Sequence, residues 1–184
     1  MKRYTFSALL LVLGASISIT GCFDEVSGPY DGPDVAAFAE NGVGGLWNES
    51  VGFSAGSEET ESIELEIELI AEQSSSDQTV EVVAVEPGDE GEAEACTDTR
   101  AHDFTAGCPV PTAVLEEHFE LTSGSDITIP ANESHGYVEL DIFGDALEDG
   151  ESVAILLRLN ETGDLDIAEN YRYFHITASK SEEE

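Results

Sequence analysis

The stretch Ser62-Ile63-Glu64-Leu65-Glu66-Ile67-Glu68-Leu69 alternates polar and apolar residues without a break. That period of two constrains the fold more than any other feature. A helix would scatter Ile63, Leu65, Ile67 and Leu69 around its circumference, whereas a strand puts all four on one face and Glu64, Glu66 and Glu68 in water. Glu and Leu are good helix formers, but the period overrides propensity. The pattern recurs. Val138, Leu140 and Ile142 alternate with Glu139 and Asp141, and Val153, Ile155, Leu157 and Leu159 alternate with Ala154, Leu156 and Arg158. Residues 79–86 are valine-rich with apolar side chains on both faces, the signature of a more central strand. Ile127 and Ile129 form a run that ends at Pro130, and Phe174 and Ile176 mark a last strand after Tyr171. Val51-Gly52-Phe53, with residues 35–38, supplies a first, edge strand. Turn residues separate the runs, at 55–57, 74–77, 123–125, 131–133, 148–150 and 162–164. The expectation is an all-β, antiparallel sandwich of about seven strands.

The start of the chain reads differently. Lys2 and Arg3 precede an apolar run from Ala8 to Ile19, which ends in Ile19-Thr20-Gly21-Cys22. A positive start, an apolar core and a small-residue end are the parts of a secretion signal. The run is too short for a comfortable membrane span. Its end resembles the lipobox of bacterial lipoproteins. That resemblance implies a signal peptide over 1–21, removed to leave Cys22 lipidated as the first mature residue. Residues 22–33, with Ser27-Gly28-Pro29 and Gly32-Pro33, then read as a flexible tether to a sandwich domain over 34–178, and 179–184 as an acidic tail. Acids just after Cys22 resemble the short signals that send some lipoproteins to the outer face of the cell. The expected address is the cell envelope, at the outer membrane, facing either the periplasm or the surface.

Three cysteines are present, and lipidation would take Cys22. Cys96 and Cys108 are then an even pair in an oxidising compartment, and a disulfide between them is expected. On chain-entropy grounds that bond contributes roughly 3 kcal/mol. A metal site with His102 and His118 is the alternative, though no CxxC or HxxxH spacing supports it. Both cysteines sit in a long insertion at 87–117, rich in Gly and Pro, and a loop of that length is functional or disordered.

Charge narrows the partners. The chain carries 40 acidic and 6 basic residues, a formal net charge of −34. Two of the basic residues, Lys2 and Arg3, belong to the leader. Such a surface repels nucleic acid, whose binding needs Lys and Arg against phosphates. It also repels anionic head groups, so attachment falls to the lipid on Cys22. Like charge at this density destabilises a compact fold unless counterions screen it. Adaptation to high salt and binding of divalent cations both account for it. The spread of acids along the whole chain favours the first.

From Phe53 and Glu58-Glu59 through the alternating strand to Thr79-Val80-Glu81-Val82, the chain resembles the opening of a Calx-β domain. The later run is similar to that family's close: His118-Phe119, then 127–133, then Asp141-Ile142-Phe143-Gly144-Asp145, then Glu148-Asp149-Gly150-Glu151 before Val153. The chain also resembles single-domain surface lipoproteins of unknown function. The resemblance covers roughly residues 50–178. It implies an immunoglobulin-like sandwich in which the loops at 55–61, 87–118 and 144–151 and the tail gather at one end. Some members bind Ca²⁺ there, which makes Glu58, Asp145, Glu148 and Glu151 the candidate ligands, since Ca²⁺ takes carboxylate oxygens. The chain departs from the pattern at Gly144-Asp145, where the family has paired aspartates, at His118, and in the glutamates of the tail.

Nothing marks an enzyme. The chain has no GxSxG, HExxH, P-loop or GxGxxG, and a carboxylate beside any His is expected by chance among 40 acids. Trp47 suits packing near the first strand. Tyr137, Tyr171 and Tyr173 share a strand parity that can face outward, to bind sugars or to pair across strands. The reading is a lipid-anchored envelope protein without catalysis that binds, adheres or assembles, with a protein or polysaccharide partner. A Ca²⁺-stabilised structural domain is the alternative, and a carbohydrate-binding or hydrolytic surface protein a more distant one.

Overall fold

The computed structural model describes residues 34–39, 48–71, 74–89, 92, 110–162, 165–168 and 171–183. The leader, Cys22, the tether, Trp47, Cys96, His102 and Cys108 lie outside them, as does most of the insertion. The alternating runs become strands. In chain order these are β1 (Val35–Phe38), β2 (Asn48–Phe53), β3 (Thr60–Ile70), β4 (Gln78–Ala84), β5 (Phe119–Leu121), β6 (Asp126–Ile129), β7 (His135–Phe143), β8 (Ser152–Asn160), β9 (Asp166–Ile167) and β10 (Tyr173–Lys180). A single 3-10 turn, Gly144–Ala146, follows β7. One sheet runs β5-β7-β3-β1-β9 and the other β2-β10-β8-β4-β6.

The protein is therefore an all-β sandwich, antiparallel except for the β1–β9 and β2–β10 pairings. Ten strands among the described residues replace the expected seven, because β5 and β9 are only three and two residues long, too short to carry a period, and because one expected strand is two. The expected first edge strand is two strands in two sheets. Val35–Phe38 is no edge, since β3 and β9 flank it, while β2 borders the other sheet. β10 runs on through Ser179 and Lys180, into what the sequence reads as tail. Its extra residues are held from both sides: Lys180 pairs with Phe53 of β2, and the Lys180 N–H donates to Glu151 O at 2.9 Å beside β8.

The inner faces meet as the period predicts. Leu65, Ile67 and Leu69 of β3 and Val138, Leu140 and Ile142 of β7 pack against Ile155, Leu157 and Leu159 of β8 and Phe174 and Ile176 of β10. Phe38 and Phe174 bridge the sheets with ring centroids 5.5 Å apart at a tilt of 56°. The outer face of β8 is apolar too, at Ala154 and Leu156. The insertion explains it. Its returning leg lays Val110 on a second cluster of Val85, Ala154, Leu156 and Tyr173. Residues 111–113 then take up the edge of β8 that β4 has left, with Ala154 N–H to Pro111 O and Ala113 N–H to Ala154 O both 2.8 Å. Of the three tyrosines expected to face outward, Tyr137 does, at 48% exposure, whereas Tyr173 is buried under this leg and Tyr171 packs against the core.

Candidate functional site

The sheet connections gather the acidic loops at one end. β3 starts there at Thr60, β7 finishes there at Phe143, β8 starts there at Ser152, and β10 finishes there at Lys180. Cross-links fix the loops to one another. Gly56 N–H donates to Asp149 Oδ1 at 2.9 Å, Gly144 N–H to Glu59 O at 2.9 Å, and Gly150 N–H to Lys180 O at 3.0 Å. Gly150 has φ +84°, a backbone shape that disfavours any side chain. The gathering that the family resemblance implies is present for the loops at 55–61 and 144–151 and for the end of β10, while most of 87–118 lies outside the described residues.

At the centre of this acidic end sits a cation. Lys180 is buried, and its Nζ donates to Gly144 O and Leu147 O, both at 3.0 Å, with Asp149 Oδ1 at 3.8 Å. It satisfies two carbonyls of the 144–147 turn and ties the last strand to the β7–β8 connection. Scarcity was the signal for it: one of the few basic residues of the chain lies between Ser179 and a run of acids.

The four residues proposed as Ca²⁺ ligands divide. Glu58 and Asp145 line one open basin with Thr60, Glu117, Phe143 and Ala146. Glu151 is used otherwise, since its Oε2 accepts the Glu148 N–H at 2.7 Å and closes the 148–151 turn. Glu148 contributes backbone to that turn, and its neighbour Asp149 faces Gly56 and Lys180. Among the described residues no three His, Cys, Asp or Glu side chains come together in a way that could hold a metal. With the Lys180 ammonium already on the turn carbonyls, the donors among the described residues do not form a single divalent-cation centre. The departure at Gly144 has a steric cause. A Cβ there would lie 2.7 Å from both Glu59 O and Phe53 Cδ1, so an aspartate cannot be placed without moving the β3 and β2 ends.

His118, a second departure, is structural. Its Nδ1 accepts the Val114 N–H at 3.0 Å, and its carbonyl accepts the Phe143 N–H at 2.9 Å. It closes the turn that leads from the insertion into β5. Carboxylates secure the base of the insertion. Glu86 Oε1 accepts the Leu115 N–H at 3.1 Å, and Glu92 accepts from the Thr112 hydroxyl and from Gly88 N–H. Those two bonds, the Thr112 hydroxyl first, hold the Glu92 carboxyl below the usual carboxylate range.

A second polar basin lies at the other end, lined by Glu81, Arg158, Leu159, Asn160, Glu161 and Arg172. By sequence parity Arg158 is an ordinary outward residue of β8, and Arg172 belongs to no motif. Their meeting depends on the β8–β10 pairing, in which Leu159 N–H donates to Arg172 O at 2.9 Å.

No family model and no curated protein matches the chain. Solved structures do. A candidate carbohydrate binding protein from Bacteroides ovatus is 18% identical with a TM-score of 0.52, over 80% of this chain and 37% of that one. Bacteroides thetaiotamicron EndoBT-3987, solved with a Man5GlcNAc product, is 17% identical with a TM-score of 0.53, over 74% of this chain and 29% of that one. The apo form of the Calx CBD1 domain is 11% identical with a TM-score of 0.49, over 81% of this chain and 98% of that one. The chain spans between about a quarter and a half of the first Bacteroides chains it matches. What it shares with the two Bacteroides proteins above is the fold, a two-sheet β-sandwich.

Proposed function

We propose that this is a lipid-anchored module of the cell envelope that binds or assembles without catalysis, held through Cys22 at one end and presenting its loops at the other. The polarity of the sandwich carries this reading. Val35, where the tether joins, pairs with Ile70 at the far end of β3. The loops around Glu58, Glu117 and Asp145 stand at the near end of the same strand, beside Thr60. Eleven extended residues separate the two ends, about 35 Å. An anchored chain of this shape holds the insertion base and the acidic loops away from the bilayer, where loops on a rigid sandwich meet partners. The larger Bacteroides chains, one a candidate carbohydrate binding protein, support a module that works as one part of a longer assembly.

The test uses the full chain and its Cys22→Ser variant in a Gram-negative host. An acyl-bearing Cys22 N-terminus in the membrane fraction, with the variant released, is expected. An uncleaved leader or a soluble wild type refutes the anchor. Purified protein is then titrated with a panel of envelope polysaccharides. Saturable binding with every glycan chain intact is expected, and cleaved products overturn the non-catalytic part.

A further inference from the structure

Cations are scarce here, with 6 basic against 40 acidic residues, so each arginine is expected to lie close against a carboxylate. Among the described residues Arg158 does not, and Arg172 makes only one long ion pair. Arg158 donates through Nε to Asn160 Oδ1 at 3.0 Å, and Asn160 Nδ2 donates in turn to Glu81 Oε2 at 2.9 Å. The Glu81 charge is thus engaged one side chain away from the guanidinium. The terminal nitrogens of Arg158 have no acceptor among the described residues. Arg172 Nη2 is 3.8 Å from Glu161 Oε1, beyond hydrogen-bond length, and Glu161 is 65% exposed. Arg172 Nε is buried without an acceptor among the described residues. Two guanidinium forks therefore share one open basin with unused donors, in a chain with carboxylates to spare.

Their place in the fold adds to this. Arg158 lies near the end of β8 remote from the acidic loops, and Arg172 just before β10 begins. The connection between those strands is bonded to the start of β1, with Asp166 N–H to Asp34 O at 3.1 Å and Ala168 N–H to Ala36 O at 2.9 Å. Asp34 is where the tether joins the sandwich. The third described cation, Lys180, is buried at the opposite end.

We propose that Arg158 and Arg172 form an oxyanion site that takes phosphate, from a lipid head group or free in solution, at the membrane-proximal end of the sandwich. A guanidinium matches phosphate oxygens with paired N–H donors. Both arms lie within one shallow basin open to solvent. Glu81 and Glu161 line the same basin, Glu81 engaged by Asn160 and Glu161 largely exposed to solvent, while repulsion from more distant acids is screened beyond about 10 Å at 0.1 M salt. The head-group source rests on the anchored reading above. The phosphate site itself does not.

Arginine Nε–Hε NMR signals test this, because the mature chain holds a third arginine, Arg100, as an internal control. The unlipidated Cys22→Ser chain is titrated with sodium phosphate and, separately, with sodium chloride at matched ionic strength. Saturable shifts of Arg158 and Arg172 with phosphate alone are expected, at millimolar affinity, weakened at least tenfold in Arg158→Gln and in Arg172→Gln. Equal shifts with chloride, or no shift, overturn the site, and this comparison needs no variant to fold. The lipidated chain then goes into nanodiscs of phosphatidylcholine alone or mixed with phosphatidylglycerol. Shifts in the mixed discs without added phosphate identify the head group. Shifts confined to added phosphate identify a soluble oxyanion. Absence of acyl mass on Cys22 counts against the anchor and leaves the phosphate titration standing.

Discussion

At the residue scale, single side chains decide whether the acidic end holds together. Lys180→Met keeps most of the aliphatic stem and removes the ammonium, leaving Gly144 O and Leu147 O without their donor. Unsatisfied buried carbonyls predict a loss of about 2–4 kcal/mol in urea unfolding, with little change in m-value. Gly144→Ala drives a methyl against Glu59 O and Phe53, and about 1–3 kcal/mol of destabilisation is expected in the same measurement. His175 is buried, and burial lowers its pKa below the ordinary 6.5. Above pH 6.5 the ring is neutral folded and unfolded, so it adds no slope. As pH falls below 6.5 the unfolded chain takes the proton first, and stability is lost until the lower folded pKa is reached. Unfolding free energy measured between about pH 7 and 5.5 should therefore fall, and His175→Gln should flatten that slope. An equal slope in the variant would mean that other groups set it.

At the element scale, β3 shows what alternation does. Leu65 and Ile67 are fully buried, and Glu64 and Glu66 lie on the outer face. Leu65→Ala should cost about 2–5 kcal/mol. Glu64 stands directly opposite Glu139 of β7, a like-charge pair, so Glu64→Lys should stabilise by about 0.5 kcal/mol in low salt and by less in high salt. β3 and β7 were legible because each carries several periods of a one-face pattern, and β8 and β10 because apolar residues recur at every second position. Of the short strands β5 and β9 were not, and β1 was legible only as part of the first edge strand. Nothing local in Val35–Phe38 or Asp166–Ile167 says which sheet each joins, and only pairing with distant partners decides it. β8 gave a mixed signal for a different reason: Ala154 and Leu156 face away from the main core but lie under Val110 from the insertion.

At the scale of the whole molecule, net charge and polarity act together. A formal charge of −34 predicts that molar NaCl stabilises the fold by screening, by about 2 kcal/mol or roughly 4–8 °C in Tm. Millimolar Ca²⁺ at constant high NaCl should add nothing saturable, because Lys180 already holds the turn carbonyls and Glu151 closes its own turn. A saturable calcium shift that survives high salt would restore a metal centre at Glu58 and Asp145. The sequence by itself determined the all-β class, the main core faces and the acidic character, because each is carried by neighbouring residues or by simple counts. It also contained the loops that gather at one end, through the turn residues that flank them. Only the tertiary structure decided what those loops surround, and it put a lysine from the last strand there. It also brought Arg158 and Arg172 into one basin at the opposite end. Both outcomes depend on strand pairings between residues far apart in the chain, which no local pattern encodes.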